Sequence, residues 1–209
     1  MRGESSTVVV LVGDVAEGLL AGLSRSVNVA VARAPAAEAG QTGEPAAARP
    51  GWEAGALALR EAARRQSTYV IVPDDPLADV AAEWRAMWDG LAGPAGFEAR
   101  AAEVLAAWRD KRFELPDYYL VVPGTQPDCT GADMYLGPLR AVRPRRVAVA
   151  GMAGDSAAQQ SRLLDTLGSL EHGPWWPPLG ELLDAARQFN AGGLAESQAR
   201  TGLAESQTA

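Results

Sequence analysis

Three carboxylates crowd one turn of the chain: Asp74 and Asp75 close the apolar run Thr68-Tyr-Val-Ile-Val-Pro73, and Asp79 follows one helical turn later. Oxygen-rich turns of this kind hold Mg²⁺ or supply acid and base to a small substrate. A turn running into a helix explains them too, with Pro76 suited to the first helical position, and this plainer reading is favoured. Gly13 and Asp14 close another apolar run, Thr7 to Val12, at what reads as a helix N-terminus. Free backbone N–H groups there favour an anion, while Asp14 serves equally well as the helix cap. The segment most like a binding loop is Pro123-Gly-Thr-Gln-Pro-Asp-Cys-Thr-Gly131. Gly124 and Gly131 let backbone approach a ligand closely, and Thr125, Gln126 and Thr130 offer neutral groups that read phosphate or ribose oxygens.

Other chemistry is thin. His172 is the only histidine, which leaves one residue for any Ser/His/Asp arrangement and none for a multi-histidine metal site. No metal site or resident cofactor is expected. Cys129, the only cysteine, has no neighbouring His or Lys to activate it. Neither G-x-G-x-x-G nor G-x-x-x-x-G-K-[ST] is present, which argues against a standard dinucleotide site and a Walker ATPase. Arg140, Arg143, Arg145 and Arg146 could clamp a phosphate or an acidic partner, although a solvated face before a strand is the simpler account. Trp175 and Trp176, set between prolines, read as a partner-binding knuckle or as packing onto the protein's own sheet.

The elements that must position these groups alternate strand and helix. Strands are expected at Val8 to Val12, Asn28 to Ala32, Thr68 to Val72, Tyr118 to Val122 and Arg146 to Ala150. Helices are expected from Asp14 to Ser26 and from Trp52 to Gln66. A helix hairpin follows, its apolar faces formed by Leu77, Val80, Trp84 and Trp88 and then by Phe97, Val104 and Trp108. The tryptophan stripe reads as core packing. Residues 125–142 form a loop and a short helical segment, in which Gly137-Pro138 would break a helix at a cost of about 3 kcal/mol. Two further helices carry Leu163, Leu164 and Leu167, and then Leu179, Leu182 and Leu183.

This pattern predicts an α/β fold: a doubly wound, mostly parallel, five-stranded Rossmann-like sheet with an extra helix hairpin and two C-terminal helices. Residues 1–151 form the ligand-binding domain, with 35–51 a flexible loop. Residues 152–190 extend it, and 191–209, which repeat Gly-Leu-Ala-Glu-Ser-Gln, form a disordered tail. The expected strand order is 3-2-1-4-5, which sets the crevice between the loops after Val12 and Val122 and sends Asp74 and Asp75 to the sheet edge.

The chain has 209 residues, 47% of them apolar, enough to bury about 70% of its unfolded surface without a metal or disulfide. Its net charge of −7 argues against long nucleic acid and anionic membranes as partners. The six-residue run Thr7 to Val12 is too short for a signal peptide or a membrane span, and a single cysteine fits a reducing setting, so a cytoplasmic location is expected. Abundant Arg, Ala, Gly and Pro, with a single Lys, point to a GC-rich bacterial genome.

A first strand ending in a small turn, a strand followed by Asp74-Asp-Pro-Leu-Ala-Asp79 and a helix, and a late strand ending in Gly124-Thr125 are similar in order to the CRISPR-associated Rossmann-fold (CARF) sensor domains. The resemblance covers roughly Thr7 to Gly151. In the family's late loop, Gly-Gly-Thr-Lys, Gly124 and Thr125 match, Pro123 replaces the first Gly, Gln126 replaces the Lys, and Met134 falls late. The resemblance implies a homodimeric sensor of a cyclic oligonucleotide in antiviral defence, contacted by Gly13, Asp14, Gly124, Thr125 and Gln126. Read from residues alone, the leading expectation is a sensor of a small anionic, nucleotide-like ligand. The alternatives are a nucleotide- or nucleoside-processing enzyme using Asp14, Asp74 or Asp75, and an interaction protein working through Trp175 and Trp176.

Overall fold

The structure is a computed structural model and describes residues 6–13, 15–35, 51–122, 132–151 and 154–189. Five strands, β1 (Thr7–Val12), β2 (Val29–Val31), β3 (Tyr69–Val72), β4 (Tyr118–Val121) and β5 (Val147–Val149), form one sheet in which every pairing is parallel. Parallel neighbours need helical crossovers, and these cover both faces. Alternate β1 residues therefore all find apolar partners: Val8, Val10 and Val12 on one face, Val9 and Leu11 on the other. The first face packs against α2 (Gly51–Ala62), α3 (Ala78–Trp88), α4 (Pro94–Arg109) and a last helix, α8, at residues 179–189. The second packs against α1 (Glu17–Leu23) and α7 (Ser156–Gly168). The fold is thus doubly wound α/β.

The strand order is β2-β3-β1-β4-β5, which corrects the expected order in one respect: β3, not β2, lies beside β1. The physical reason is burial. Val70, Ile71 and Val72 are wholly buried, whereas β2 is a three-residue strand in which Ala30 and Val31 keep solvent contact. The more apolar strand takes the interior position, where both faces and both edges are covered. Its carboxyl end, with Asp74 and Asp75, therefore stands next to β1 and not at the edge.

The hairpin of α3 and α4 forms as its apolar faces require, with Pro94 opening α4 after the extended Gly93. Trp84 is buried, stacks on Trp88 at 5.5 Å, and donates from Nε1 to Ala186 O at 2.9 Å, tying α3 to α8. Gly137-Pro138 does not break the chain's helical course. The short helices α5 (Ala132–Met134) and α6 (Arg140–Val142) join through a π-helical turn at Tyr135–Leu139 that contains Pro138. A widened turn relieves the clash of the proline ring with the preceding turn, and Tyr135, Pro138 and Leu139 pack inward.

The arginine cluster divides: Arg140 and Arg145 remain exposed, as a solvated face requires, Arg143 is half-buried, and Arg146 is drawn into the protein. Arg146 is only 9% exposed; its guanidinium donates to Gly173 O (2.7 Å), Pro174 O (3.1 Å) and Asp117 O (3.2 Å), and lies over the rings of Tyr118 and Trp175. Arg143 donates to Trp175 O and Arg145 to His172 O. These three hold residues 171–175 across the amino ends of β4 and β5, so Arg143, Arg145 and Arg146 are engaged within the chain.

Candidate functional site

In a doubly wound sheet, ligands sit beyond the carboxyl ends of strands whose following segments leave toward opposite faces. Here β1 is that strand: α1 packs on the second face, while α3, after β3, and the π turn, after β4, pack on the first. Both of its neighbours thus open a crevice beside it. Gly13 turns the chain with φ +119°, and any side chain there would run into the Val122 carbonyl. Val122 N in turn donates to Val12 O at 2.8 Å, so the ends of β1 and β4 lie directly together, as the expected crevice requires.

The anion seat expected at the first helix is altered. The helix starts at Glu17 with Ala16 at its cap position and no side-chain cap, so Asp14 does not occupy that position. It has seven residues, and its first turn carries Glu17, which pairs with Arg33 Nη2 at 2.6 Å. That contact holds the Glu17 carboxyl below the usual range. Gly13 and Gly18 keep the glycine spacing of a phosphate loop, but Leu19 and Leu20 stand where it carries Lys and Ser or Thr. Both leucines are buried in the second core, so no ammonium or metal-binding hydroxyl is available at those positions.

The acidic turn after β3 is largely engaged in holding the backbone. Asp74 Oδ2 accepts from Ala34 N at 2.9 Å, fastening the end of β2 to the end of β3. Asp79 Oδ2 accepts from Gly51 N at 3.2 Å at the start of α2. Gly55 on α2 has no room for a side chain against the Asp75–Pro76 backbone, so helix and turn are in close contact. Asp75 Oδ1 accepts from Leu77 N at 2.9 Å, and its Oδ2 accepts from the Tyr135 hydroxyl. Asp75 retains some exposure, but the protein packed round it desolvates the carboxylate and pushes its pKa up to about 6, against the opposing pull of Tyr135 and Leu77. A carboxyl titrating there is suited to exchange a proton near neutrality.

Behind Asp75 stands a residue that the sequence reading passed over. Tyr119, on β4, is 0% exposed, and its hydroxyl has no hydrogen-bond partner among the described residues. Its ring lies 4.9 Å from that of Tyr135 and 5.6 Å from that of Trp176, and burial together with the Asp75 charge raises its pKa well above the ordinary phenol value. The available signal was a phenol inside the apolar run Tyr-Tyr-Leu-Val, a polar tip that a buried strand must satisfy.

Of the other expected site residues, Asp14, Gly124, Thr125, Gln126, Thr130 and Gly131 lie outside the described residues, as does Cys129. The tryptophan knuckle is corrected in part: Trp176 is 5% exposed and donates from Nε1 to Pro116 O at 2.8 Å within the first core, while Trp175 is 47% exposed. Only Trp175 of the pair offers surface to a partner. Among the described residues no group of three His, Cys, Asp or Glu side chains is placed to hold a metal ion, and no helix is long and apolar enough to cross a membrane.

No family model matches the chain, and no curated protein matches it. A solved structure described as "Crystal structure of NadR protein in complex with NR" is similar at 16% identity with a TM-score of 0.46, covering 81% of this chain and 52% of that one. The chain thus spans about half the length of that structure, and a likeness at this level carries nothing about ligand or reaction.

Proposed function

We propose that the protein binds a small nucleotide-like molecule at the carboxyl end of β1, beside the turn that follows β3 and the end of β4, and acts as a sensor of it. The observation that carries this reading is the strand order, which makes β1 the strand whose following helix departs toward the face opposite to those of both its neighbours. Recognition is favoured over turnover because Asp74 and Asp79 are spent on backbone N–H groups. Arg33, the one basic residue among the described residues directly following the strands, is paired with Glu17. A nucleoside or lightly charged nucleotide suits such an edge better than a polyphosphate does. A cyclic oligonucleotide bound by a homodimer is the specific form that the CARF resemblance adds.

Thermal melting against nucleosides, mononucleotides, dinucleotides and cyclic oligonucleotides tests the proposal. A binder at a hundred times its Kd stabilises the fold by about 2.7 kcal/mol, which raises Tm by about 5–10 °C in a chain of this size. The absence of a shift with every compound, in protein that melts cooperatively, refutes the proposal. One observation favours a second reading, acid–base catalysis: the Asp75 carboxyl is poised at about 6. Turnover of any bound compound that is lost in Asp75→Asn would support it.

A further inference from the structure

β5 is an edge strand: β4 flanks it on one side, and among the described residues nothing pairs with the other. Tyr119 N donates to Arg146 O and Ala150 N donates to Val121 O, so those groups of β5 face β4. Main-chain groups alternate in direction along a strand, which turns the N–H and C=O of Val147 and Val149 outward. Open edges are commonly blunted by charge or proline; Val147-Ala-Val149 carries neither, and the Val149 side chain is 40% exposed. The two ends of the strand also match each other. At the amino end a cavity of about 390 Å³ is lined by Val147, Ala148 and Leu170 and by Arg145 and Glu171. Glu171 pairs through Oε2 with Arg145 Nε at 3.2 Å, and among the described residues its Oε1 is unbonded. At the carboxyl end Arg162, exposed on α7, runs alongside Gly151, its Cδ and Nη1 lying 3.9 Å from where a Gly151 Cβ would stand. Arg162 forms no ion pair among the described residues.

We infer that two copies of this chain pair antiparallel along β5, across a two-fold axis normal to the sheet at Ala148, with the Arg162 side chain of each copy entering the other's cavity to meet Glu171. The outward groups set the register. Val147 exchanges both its hydrogen bonds with the partner's Val149, and the symmetry repeats the exchange. That register places position 145 opposite the partner's position 151. Opposed residues of an antiparallel pair have Cα atoms about 4.5–5.5 Å apart, within reach of Glu171 beside the first and Arg162 beside the second. Ala148, Leu170 and α7 all belong to the second face, so carboxylate and cation approach on the same side of the sheet. A second copy is the occupant because a single surface carries both the acidic cavity and the unpaired cation, at opposite ends of the strand about which it would pair. Three residues of main chain hold two copies weakly, and the side-chain contacts repeated by symmetry supply the rest. The pairing goes beyond the ligand site and is independent of it, since antiparallel strands turn the two β1 crevices in opposite directions.

Sedimentation equilibrium of the full chain tests the pairing. The parent is expected to exchange between monomer and dimer in the micromolar range. Val149→Lys, which puts a charge on the paired edge, is expected to leave monomer alone. Arg162→Glu and Glu171→Arg are each expected to weaken the dimer about tenfold, because each change acts twice across the axis, and the two made together are expected to restore it. All of these positions expose their side chains, so every variant should melt like the parent, which separates loss of pairing from loss of fold. Protein that is monomeric at every concentration overturns the inference. So does a dimer that Val149→Lys leaves intact, or one that the paired charge exchange fails to restore.

Discussion

Asp75 provides the sharpest test of the energetics at the β3 turn. Its pKa rises from 3.8 to about 6 because burial penalises the carboxylate more than Tyr135 and Leu77 favour it. The folded protein therefore holds the Asp75 proton more tightly than the unfolded chain does. That contribution to stability is complete below about pH 3.8 and is lost as pH rises through about 6. A span of roughly two pH units, at 1.36 kcal/mol each, makes the loss about 3 kcal/mol. Other carboxyls run the opposite way: Glu17 and Glu98, held low by Arg33 and Arg187, lose their contribution as the solution becomes acid. The clean measurement is thus a difference between variants. Asp75→Asn keeps an oxygen for Leu77 N and an amide that can donate to the Tyr135 oxygen, but cannot ionise. Urea unfolding of parent and variant at pH 4 and pH 7.5 should show the variant gaining on the parent by about 2.5 kcal/mol between the two, since part of the loss already lies below pH 4. An offset that is the same at both pH values would refute the account of Asp75 as a desolvated carboxylate.

Three further outcomes follow from the fold. Gly13→Ala, with φ +119° and the Val122 carbonyl in its way, should cost at least about 2 kcal/mol in urea unfolding, whereas Gly18→Ala, in open space on α1, should cost nothing or add up to about 1 kcal/mol. Gly55→Ala should destabilise by a similar amount to Gly13→Ala by pushing α2 off the Asp75–Pro76 backbone, and should lower the affinity of any ligand held by that turn. Arg146→Ala strands the carbonyls of Gly173 and Pro174 and removes the cation between Tyr118 and Trp175; a loss of about 2–4 kcal/mol and a red shift of tryptophan emission are expected.

How far the sequence could be read differed between elements. Strands and helix faces were legible because burial on one face or two writes itself into periodicity: Val80, Ala81 and Trp84 fall on the inward side of α3 as their spacing requires. The meeting of the β1 and β4 ends was legible too. The place of β3 was not, because neighbours in a parallel sheet are chosen by competition for the buried interior. Only the contrast between Tyr-Val-Ile-Val and Val-Ala-Val hinted at the winner. Arg146 misled for a related reason: a charge in a basic run reads as solvated unless something distant in the chain supplies acceptors, here the carbonyls of residues 173 and 174.

By itself, the sequence determined the fold class, the two-faced core and the class of chemistry that is missing, since one histidine, one cysteine and no complete phosphate-loop motif limit what any arrangement can do. Tertiary structure alone decided which polar groups meet. Asp75 comes from the end of β3, Tyr119 from β4 and Tyr135 from a π turn 60 residues beyond Asp75, and no local pattern links them. They converge because β3 displaces β2 from the place beside β1, which sets the most acidic turn of the chain next to the central crevice. Side-chain periodicity is a local consequence of burial, whereas strand order is settled by the packing of the whole sheet at once.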